Sequence, residues 1–333
     1  NEELRMKKLL KKTLKLILPV VLGGFILFWV YRDFDFTKAG DVLLHGTNWW
    51  WMLFSLVFGV FAQVFRGWRW RQTLEPLDAF PKKSDCVNAI FISYAASLVV
   101  PRIGEVSRCG VLAKYDNVSF AKSLGIVVTE RLVDTLTILL ITGITVLLQL
   151  PIFVTFLQQT GTKIPSLVHL LTSVWFYIIL FCFIGVAILL YYLRKTLFFY
   201  ERVKGFVLNI WEGIMSLRGV RNIPLFIFYT LAIWTCYFLH FYFTFYCFAF
   251  TAHLGILAAL VMFVGGTFAV IVPTPNGAGP WHFAIISMMM LYGVNVTDAG
   301  IFALIVHGIQ TFLVVLLGIY GFAALPFTNR HRG

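Results

Sequence analysis

The chain has 333 residues, of which 59% are hydrophobic and only 13% are charged, and its mean hydropathy is +0.85. This composition excludes a water-soluble domain and predicts an all-α integral membrane protein. The net charge of +12 raises the question of nucleic-acid binding. However, the basic residues flank apolar runs instead of forming one stripe, which is the pattern of membrane orientation. We therefore expect one transmembrane domain over residues 1–333, multi-pass in the cell (cytoplasmic) membrane, with lipid partners and no nucleic acid.

The chain begins with a basic segment that precedes the first apolar run. Residues 1–15 combine lysines with leucines. This pattern is typical of an amphipathic helix on an anionic cytoplasmic leaflet, and equally of an ordinary positive flank. Residues 16–31 form the first predicted span. A polar loop follows, and residues 49–65, which open on three tryptophans, form the second span.

A basic stretch returns the chain to the cytoplasmic side after the second span. We interpret its arginines as orientation signals and headgroup contacts: Arg66, Arg69 and Arg71. The next apolar helix, residues 86–100, would be roughly 22 Å long, which is too short for a hydrocarbon core of about 30 Å. Pro101 and Gly104 break it, and a second short helix covers residues 105–114. Because lipid forbids unpaired backbone, such a break must line a cavity or lie inside protein, and we predict a re-entrant hairpin.

The remaining apolar runs bring the expected number of full spans to about six. The four further spans are predicted at residues 120–150, 175–193, 224–250 and 298–325. A second Pro/Gly break, from Pro273 to Gly279, precedes the last span and defines a second short hairpin. Most of the 27 Lys and Arg residues then fall on cytoplasmic flanks if both termini are inside, and we predict that orientation.

Two segments share one order of elements, and we name them the first repeat segment (residues 85–150) and the second repeat segment (residues 253–325). Each has a short helix, a break, a second short helix, a cap and a full span. The sequences Asn117-Val-Ser and Asn295-Val-Thr open the two long spans, with the Ser or Thr as the expected N-cap. The charge distribution makes the first segment enter from the cytoplasm and the second from outside. This predicts an inverted repeat whose broken helices meet at the midplane.

Charged residues at membrane depth mark the expected site in the first repeat segment: Arg102, Glu105, Glu130, Arg131 and Asp134. Each charge costs roughly 2.5 to 3.5 kcal/mol on the most lenient insertion scale, so these side chains should face a polar cavity or one another. Glu130 and Asp134 share one helix face because they are spaced i, i+4. One interpretation is a carboxylate pair that exchanges protons, or changes its arginine partners, during a functional cycle. The other is a structural ion cluster that joins two helices.

The polar residues around the two breaks are suited to an anionic phosphate. The guanidinium groups of Arg102 and Arg108 match that group geometrically, although a snorkelling interfacial cation equally explains Arg108. Glycines at the breaks would let backbone N–H groups approach a phosphate closely: Gly104, Gly277 and Gly279. The second segment offers further polar candidates, for which a structural role of the histidines is the common alternative: His282, His307 and Gln310.

Three motifs together resemble the transmembrane region of lysylphosphatidylglycerol synthases, a flippase-like family, and the resemblance covers nearly the whole chain. They are Pro-Arg-x-Gly-Glu-x-x-Arg (residues 101–108), Glu-Arg-x-x-Asp (residues 130–134) and Pro-x-Pro-x-Gly-x-Gly (residues 273–279). The family usually has Gly where Asn276 stands and Glu where His282 stands, which makes His282 a candidate substitute. The synthases also carry a soluble aminoacyl-transferase domain, which we do not expect in this polypeptide.

The resemblance implies movement of an anionic phospholipid or lipid-linked phosphate between leaflets. The five cysteines lack metal-binding spacing and no ATP-binding motif occurs, so we expect no metal or cofactor and a passive or ion-coupled movement. One alternative is an intramembrane transferase acting on a polyprenyl-phosphate lipid, with Glu130 or Asp134 as base or metal ligand. A second alternative is a membrane scaffold that recruits a partner through the basic loop at residues 194–221.

Overall fold

The computed structural model describes residues 2–150 and 219–329, with side chains from residue 17 onward. The chain divides into two compact units, residues 1–148 with 219–333 and residues 149–218, and every contact given below lies in the first. The described α-helices are α1 (Glu2–Tyr31), α2 (Phe36–Asp41), α3 (Trp49–Leu74), α4 (Lys83–Val99), α5 (Ile103–Tyr115), α6 (Phe120–Leu148), α7 (Ile223–Tyr242), α8 (Ile256–Ala269), α9 (Pro280–Leu291) and α10 (Val296–Thr328). The described residues contain no β-strand.

The lengths and hydropathies of these helices confirm the predicted all-α polytopic membrane fold. Four helical stretches are long and apolar enough to cross a membrane: Trp49–Leu77, Phe120–Leu148, Ile223–Cys247 and Val296–Thr328. A fifth candidate is the pair Ile17–Tyr31 and Phe36–Gly46, which is bent by 97°. The sixth predicted span, residues 175–193, lies outside the described residues.

Two local predictions near the start of the chain are wrong. The second span does not end at residue 65, because α3 continues to Leu74 through its arginines. The stretch after Tyr31 is not simply a polar loop, because the Asp35 side chain accepts hydrogen bonds from the backbone N–H groups of Thr37 and Lys38 at 2.9 and 3.0 Å. These bonds cap α2.

Asparagine side chains begin the long helices on either side of the site. The Oδ1 atom of Asn48 accepts from the backbone of α3, and that of Asn222 accepts from α7. At α10 the N-cap is Asn295, whose side chain accepts from the Asp298 N–H at 2.8 Å, and not the predicted Thr297. An Asn N-cap satisfies N–H groups that would otherwise be unpaired at these helix ends.

The helices that precede the two repeat segments, α3 and α7, pack antiparallel. At one end, the Asn48 N–H donates to the Cys247 carbonyl at 2.8 Å. At the other end, Arg69 donates to the Thr230 hydroxyl at 3.2 Å. The chain therefore runs in opposite directions through these two helices.

Each repeat segment packs its first short helix against the long helix of the other segment. The helices α4 and α10 lie antiparallel: the Lys82 ammonium donates to the Thr328 carbonyl at 2.8 Å, and further along the pair Gly318 packs against Ala95. The helices α8 and α6 make the corresponding contact. Because of these two packing contacts, the break between α4 and α5 lies close to the break between α8 and α9. The leaflet from which each hairpin enters stays a prediction.

Candidate functional site

Five charged side chains are buried where α3, α5 and α6 meet, and we call them the buried ion cluster: Arg66, Arg69, Arg108, Glu130 and Asp134. None of these residues is more than 7% exposed. The i, i+3 arginines lie on one face of α3, and the i, i+4 carboxylates lie on one face of α6. Antiparallel packing of the two helices then pairs Arg66 with Asp134 and Arg69 with Glu130.

The ion pairs of this cluster are short. Asp134 accepts from Arg66 Nη1 at 2.8 Å and from Arg69 Nη2 at 2.6 Å. Glu130 Oε1 accepts from Arg69 Nη2 at 3.1 Å, and its Oε2 lies 2.7 Å from Arg108 Nη1. Three guanidinium groups face two carboxylates, so the cluster carries one excess positive charge.

The interpretation of the α3 arginines as orientation signals is wrong for Arg66 and Arg69, which are 3% and 0% exposed. The snorkelling explanation of Arg108 is also wrong, since that residue is 1% exposed and pairs with Glu130. Sequence reasoning missed the α3 pair because it assigned these charges to a helix end. The signal that identifies them is their same-face spacing, which complements that of Glu130 and Asp134.

A cavity of about 480 Å³, which we call the charged cavity, lies between the two breaks. The first repeat segment contributes Arg102, Glu105 and Arg131 to its lining, and the second contributes residues 270–274 together with Asn276 and Gly277. The structure thus brings together five of the predicted site residues.

The two arginines of the charged cavity differ in their partners. Arg131 Nε lies 3.0 Å from Glu105 Oε1, and its Nη1 lies 3.9 Å from Asp134 of the buried ion cluster. Arg102 is exposed and forms no ion pair with any residue that the structure describes. Its φ of +68° is in the left-handed region that non-glycine residues rarely adopt.

Asn276, His307 and Gln310 line a second cavity of about 200 Å³, which we call the neutral cavity. The Asn276 side chain donates to the Thr311 hydroxyl at 2.7 Å, and His307 Nε2 lies 3.1 Å from the Asn276 carbonyl oxygen. These two contacts tie the second break to α10. Tyr94 and Asn276 line both cavities, so the cavities adjoin.

Two predicted site residues of the second repeat segment line neither cavity. Gly279, at φ +94°, packs so closely on α1 that an added Cβ would lie 2.9 Å from the Gly23 carbonyl oxygen. His282 is buried between Tyr31 and His307, with ring centroids 5.7 and 4.5 Å apart. Gly279 therefore permits the second break to pack closely on α1. His282 is packed against other side chains and does not face either cavity.

The fold and the site define an all-α polytopic membrane protein in which two broken hairpins enclose a charged cavity. Residues 16–318 match the family described as the lysylphosphatidylglycerol synthase TM region, and the chain belongs to this family. The resemblance carried by the three motifs is thereby confirmed, and it makes this a membrane protein related to lipid handling. Comparison with curated proteins and with solved structures gave no match.

Proposed function

We propose that the protein is a flippase-like transporter, which moves an anionic phospholipid or lipid-linked phosphate between leaflets through the charged cavity. The observation that carries the proposal is the placement of Arg102 and Arg131 opposite residues 270–277, between two breaks that belong to different repeat segments. Guanidinium groups bind phosphate through geometrically matched, charge-assisted hydrogen bonds. The family membership supports a lipid as the molecule that carries this phosphate.

The electrostatics of the charged cavity favour an anion. Arg102 has no carboxylate partner among the described residues. The side chains of Arg131 and Glu105 are 45% and 35% exposed, and an ion pair at such exposure is weak, so a phosphate can replace Glu105 as the partner of Arg131. The excess positive charge of the buried ion cluster adds to the attraction, since Arg131 links the cavity to that cluster.

The alternatives have less support from the structure. An intramembrane transferase would need Glu130 or Asp134 as a free base or metal ligand, but buried arginines hold both carboxylates. The loop that a scaffold would use lies almost entirely outside the described residues. No specific observation among the described residues favours either one.

The first test is lipid movement in reconstituted vesicles. Purified protein is incorporated into phosphatidylcholine vesicles with a trace of phosphatidylglycerol labelled on its acyl chain, and a membrane-impermeant quencher reports flipping. Because a lost charge-assisted hydrogen bond is worth about 1.5–3 kcal/mol, we expect Arg102→Ala to slow flipping by roughly tenfold or more. Lys114→Ala is the matched control, since Lys114 is an exposed cation at the other end of α5.

Equal flipping by wild type, Arg102→Ala and protein-free vesicles would contradict the transport proposal. Mass spectrometry of the same vesicles tests the transferase hypothesis in parallel. A covalently altered lipid in the wild-type sample would favour the enzyme, whereas unchanged lipids with faster flipping would support transport.

A further inference from the structure

Three residues line both the charged cavity and the neutral cavity, and we call them the shared wall: Tyr94, Val270 and Asn276. Tyr94 belongs to α4 of the first repeat segment, whereas the other two lie between α8 and α9 of the second. The wall is thus built where the two breaks meet. It separates the arginines of the charged cavity from the neutral cavity, whose lining contains no Asp, Glu, Lys or Arg.

Hydrogen bonds between uncharged groups hold the shared wall in place. The hydroxyl of Tyr94 lies 2.7 Å from the hydroxyl of Tyr237 on α7. The side-chain amide of Asn276 donates to the Thr311 hydroxyl of α10 at 2.7 Å. Hydroxyl groups both donate and accept, so neither bond depends on which amide atom is the nitrogen. Such bonds add little net stability, since water can replace each partner, and the wall can therefore open at a lower cost than the buried ion cluster.

The neutral cavity extends along α3, away from the buried ion cluster. Gly59 lines this cavity about two helical turns before Arg66, which is roughly 10 Å along the helix axis. The neutral cavity therefore reaches nearer to the Asn48 end of α3 than the cluster does. Arg66 also lies beside the wall, with its guanidinium carbon 5.7 Å from the centroid of the Tyr237 ring. An anion that leaves the charged cavity through the wall thus stays close to the excess positive charge of the cluster.

We propose that the shared wall is a gate between the two cavities. While its hydrogen bonds are formed the cavities are separate, and when they break the cavities join into one passage for the headgroup of a transported lipid. The inference rests on the proposed function, since it takes the lipid phosphate beside Arg102 and Arg131 as the cargo.

The movement of a small anion between the cavities tests the gate without requiring lipid transport. In a cysteine-free background, Val314→Cys places a thiol in the neutral cavity alone, and Thr135→Cys places one in the charged cavity alone. The probe is sulfonatoethyl methanethiosulfonate, a membrane-impermeant anion, applied to the purified protein in detergent. We expect Val314→Cys to react about tenfold more slowly than Thr135→Cys, because the two bonds of the wall must break first.

An opened variant combines Tyr94→Phe with Asn276→Gly, and each substitution removes one bond of the wall. Glycine suits position 276, where φ is +53°, because it adopts positive φ without strain. The opened variant should raise the Val314→Cys rate about tenfold. It should leave the Thr135→Cys rate unchanged, which also shows that the variant is folded.

The matched control combines Tyr242→Phe with Asn117→Gly and should keep both wild-type rates. Tyr242 forms an equivalent bond, since its hydroxyl lies 2.7 Å from that of Tyr246. Asn117 has a φ of +54°, which matches that of Asn276. Neither control residue lines the charged or the neutral cavity.

Equal rates for the two thiols in the wild-type background would overturn the gate, and so would a slow Val314→Cys rate that the opened variant leaves unchanged. In the vesicle assay, the opened variant should flip labelled phosphatidylglycerol about threefold faster than wild type. If wild type flips lipid and the opened variant flips it no faster, the wall does not control the headgroup and the proposal is wrong. Gated access of the probe without any flipping would overturn the transport proposal and leave the gate supported.

Discussion

The pairing of Arg108 with Glu130 shows how burial determines what a charge does in this protein. Both residues are at most 1% exposed, and the guanidinium of Arg108 also lies 4.6 Å from the Trp70 ring centroid. Neither charge can be hydrated if its partner is lost. By contrast, Arg102, Glu105 and Arg131 line an accessible cavity, where their partners can change. The first group holds helices together, and the second is available to a ligand.

Removing one member of the buried ion cluster should destabilise the protein strongly. Glu130→Leu leaves Arg108 without a counter-charge, and loss of one partner of a buried pair costs about 3–5 kcal/mol. The double variant Glu130→Leu with Arg108→Met should recover much of this loss, because Arg69 keeps Asp134 as its partner. Thermal unfolding in detergent, followed by tryptophan fluorescence, measures both effects.

The matched control for this prediction is Glu105→Leu, which breaks a partly exposed pair and should cost less than about 1 kcal/mol. A Glu130→Leu variant as stable as Glu105→Leu would show that the buried cluster is not structural. Failure of the double variant to recover stability would show that the bond from Arg69 to Glu130, and not the pair with Arg108, accounts for the loss.

At the residue scale, the sequence predicts the carboxylates of the cluster better than its arginines. Glu130 and Asp134 interrupt an apolar run, so they need a polar environment wherever the chain folds. Arg66 and Arg69 follow an apolar run, where positive charges normally lie in the headgroup region. Their burial depends on α6, more than 60 residues further along the chain, and no local pattern reports that contact.

The hairpin of α4 and α5 depends on the absence of a side chain at one position. A Cβ at Gly104 would overlap the Ser93 carbonyl oxygen and the Ser97 hydroxyl of the facing helix. Gly104 follows directly after Arg102 and Ile103, so its close contact with α4 also fixes the position of Arg102 at the charged cavity. A phosphate-binding role for this glycine is not needed to explain it.

We expect Gly104→Ala to separate α4 from α5, with a loss of stability of about 1–3 kcal/mol and a slower flipping rate. Gly110→Ala on the same helix is the control, because nothing lies within 4 Å of an added Cβ at that position. Thermal unfolding and the vesicle assay measure the two effects. Indistinguishable behaviour of Gly104→Ala and Gly110→Ala would contradict this account of the hairpin.

At the element scale, the order and bounds of the helices are predicted mainly from the lengths of the apolar runs and from the Pro/Gly breaks. The predicted short helices at residues 86–100 and 105–114 correspond to α4 and α5, and the predicted break at Pro101 separates them. The error at the end of α3 has a physical cause. A prediction from hydropathy ends a span at the first charged residues. The α3 helix continues past them because α6 supplies the carboxylates that neutralise those charges.

At the scale of the whole described fold, the two repeat segments run antiparallel and their breaks lie at one cavity. The sequence predicts the order of elements in each repeat segment, because that order follows from local apolar runs and breaks. It does not predict the division of the site into a charged and a neutral cavity. That division depends on which side chains of α3, α4, α7 and α10 face each other, and these contacts are long-range.

The starts of α6 and α10 should lie on opposite sides of the membrane. Both helices follow an Asn-Val-Ser or Asn-Val-Thr sequence in corresponding places of the two repeat segments, and the antiparallel pairs α3 with α7 and α4 with α10 give the segments opposite directions. With both termini inside, Lys122 faces the cytoplasm and Val296 faces outside. Both residues are exposed, so single cysteines there are accessible to reagents.

In a cysteine-free background, a membrane-impermeant thiol reagent should label Val296→Cys in intact cells and Lys122→Cys only after permeabilisation. Asp33→Cys is a control for the outside, because Lys38 of the same connection lies 2.9 Å from Asp298 near the start of α10. Labelling of Val296→Cys and Lys122→Cys from one side would contradict opposed hairpins. If Lys122→Cys is labelled in intact cells and Val296→Cys only after permeabilisation, the predicted orientation is reversed. The two repeat segments would still be opposed, because the packing fixes only their relative direction.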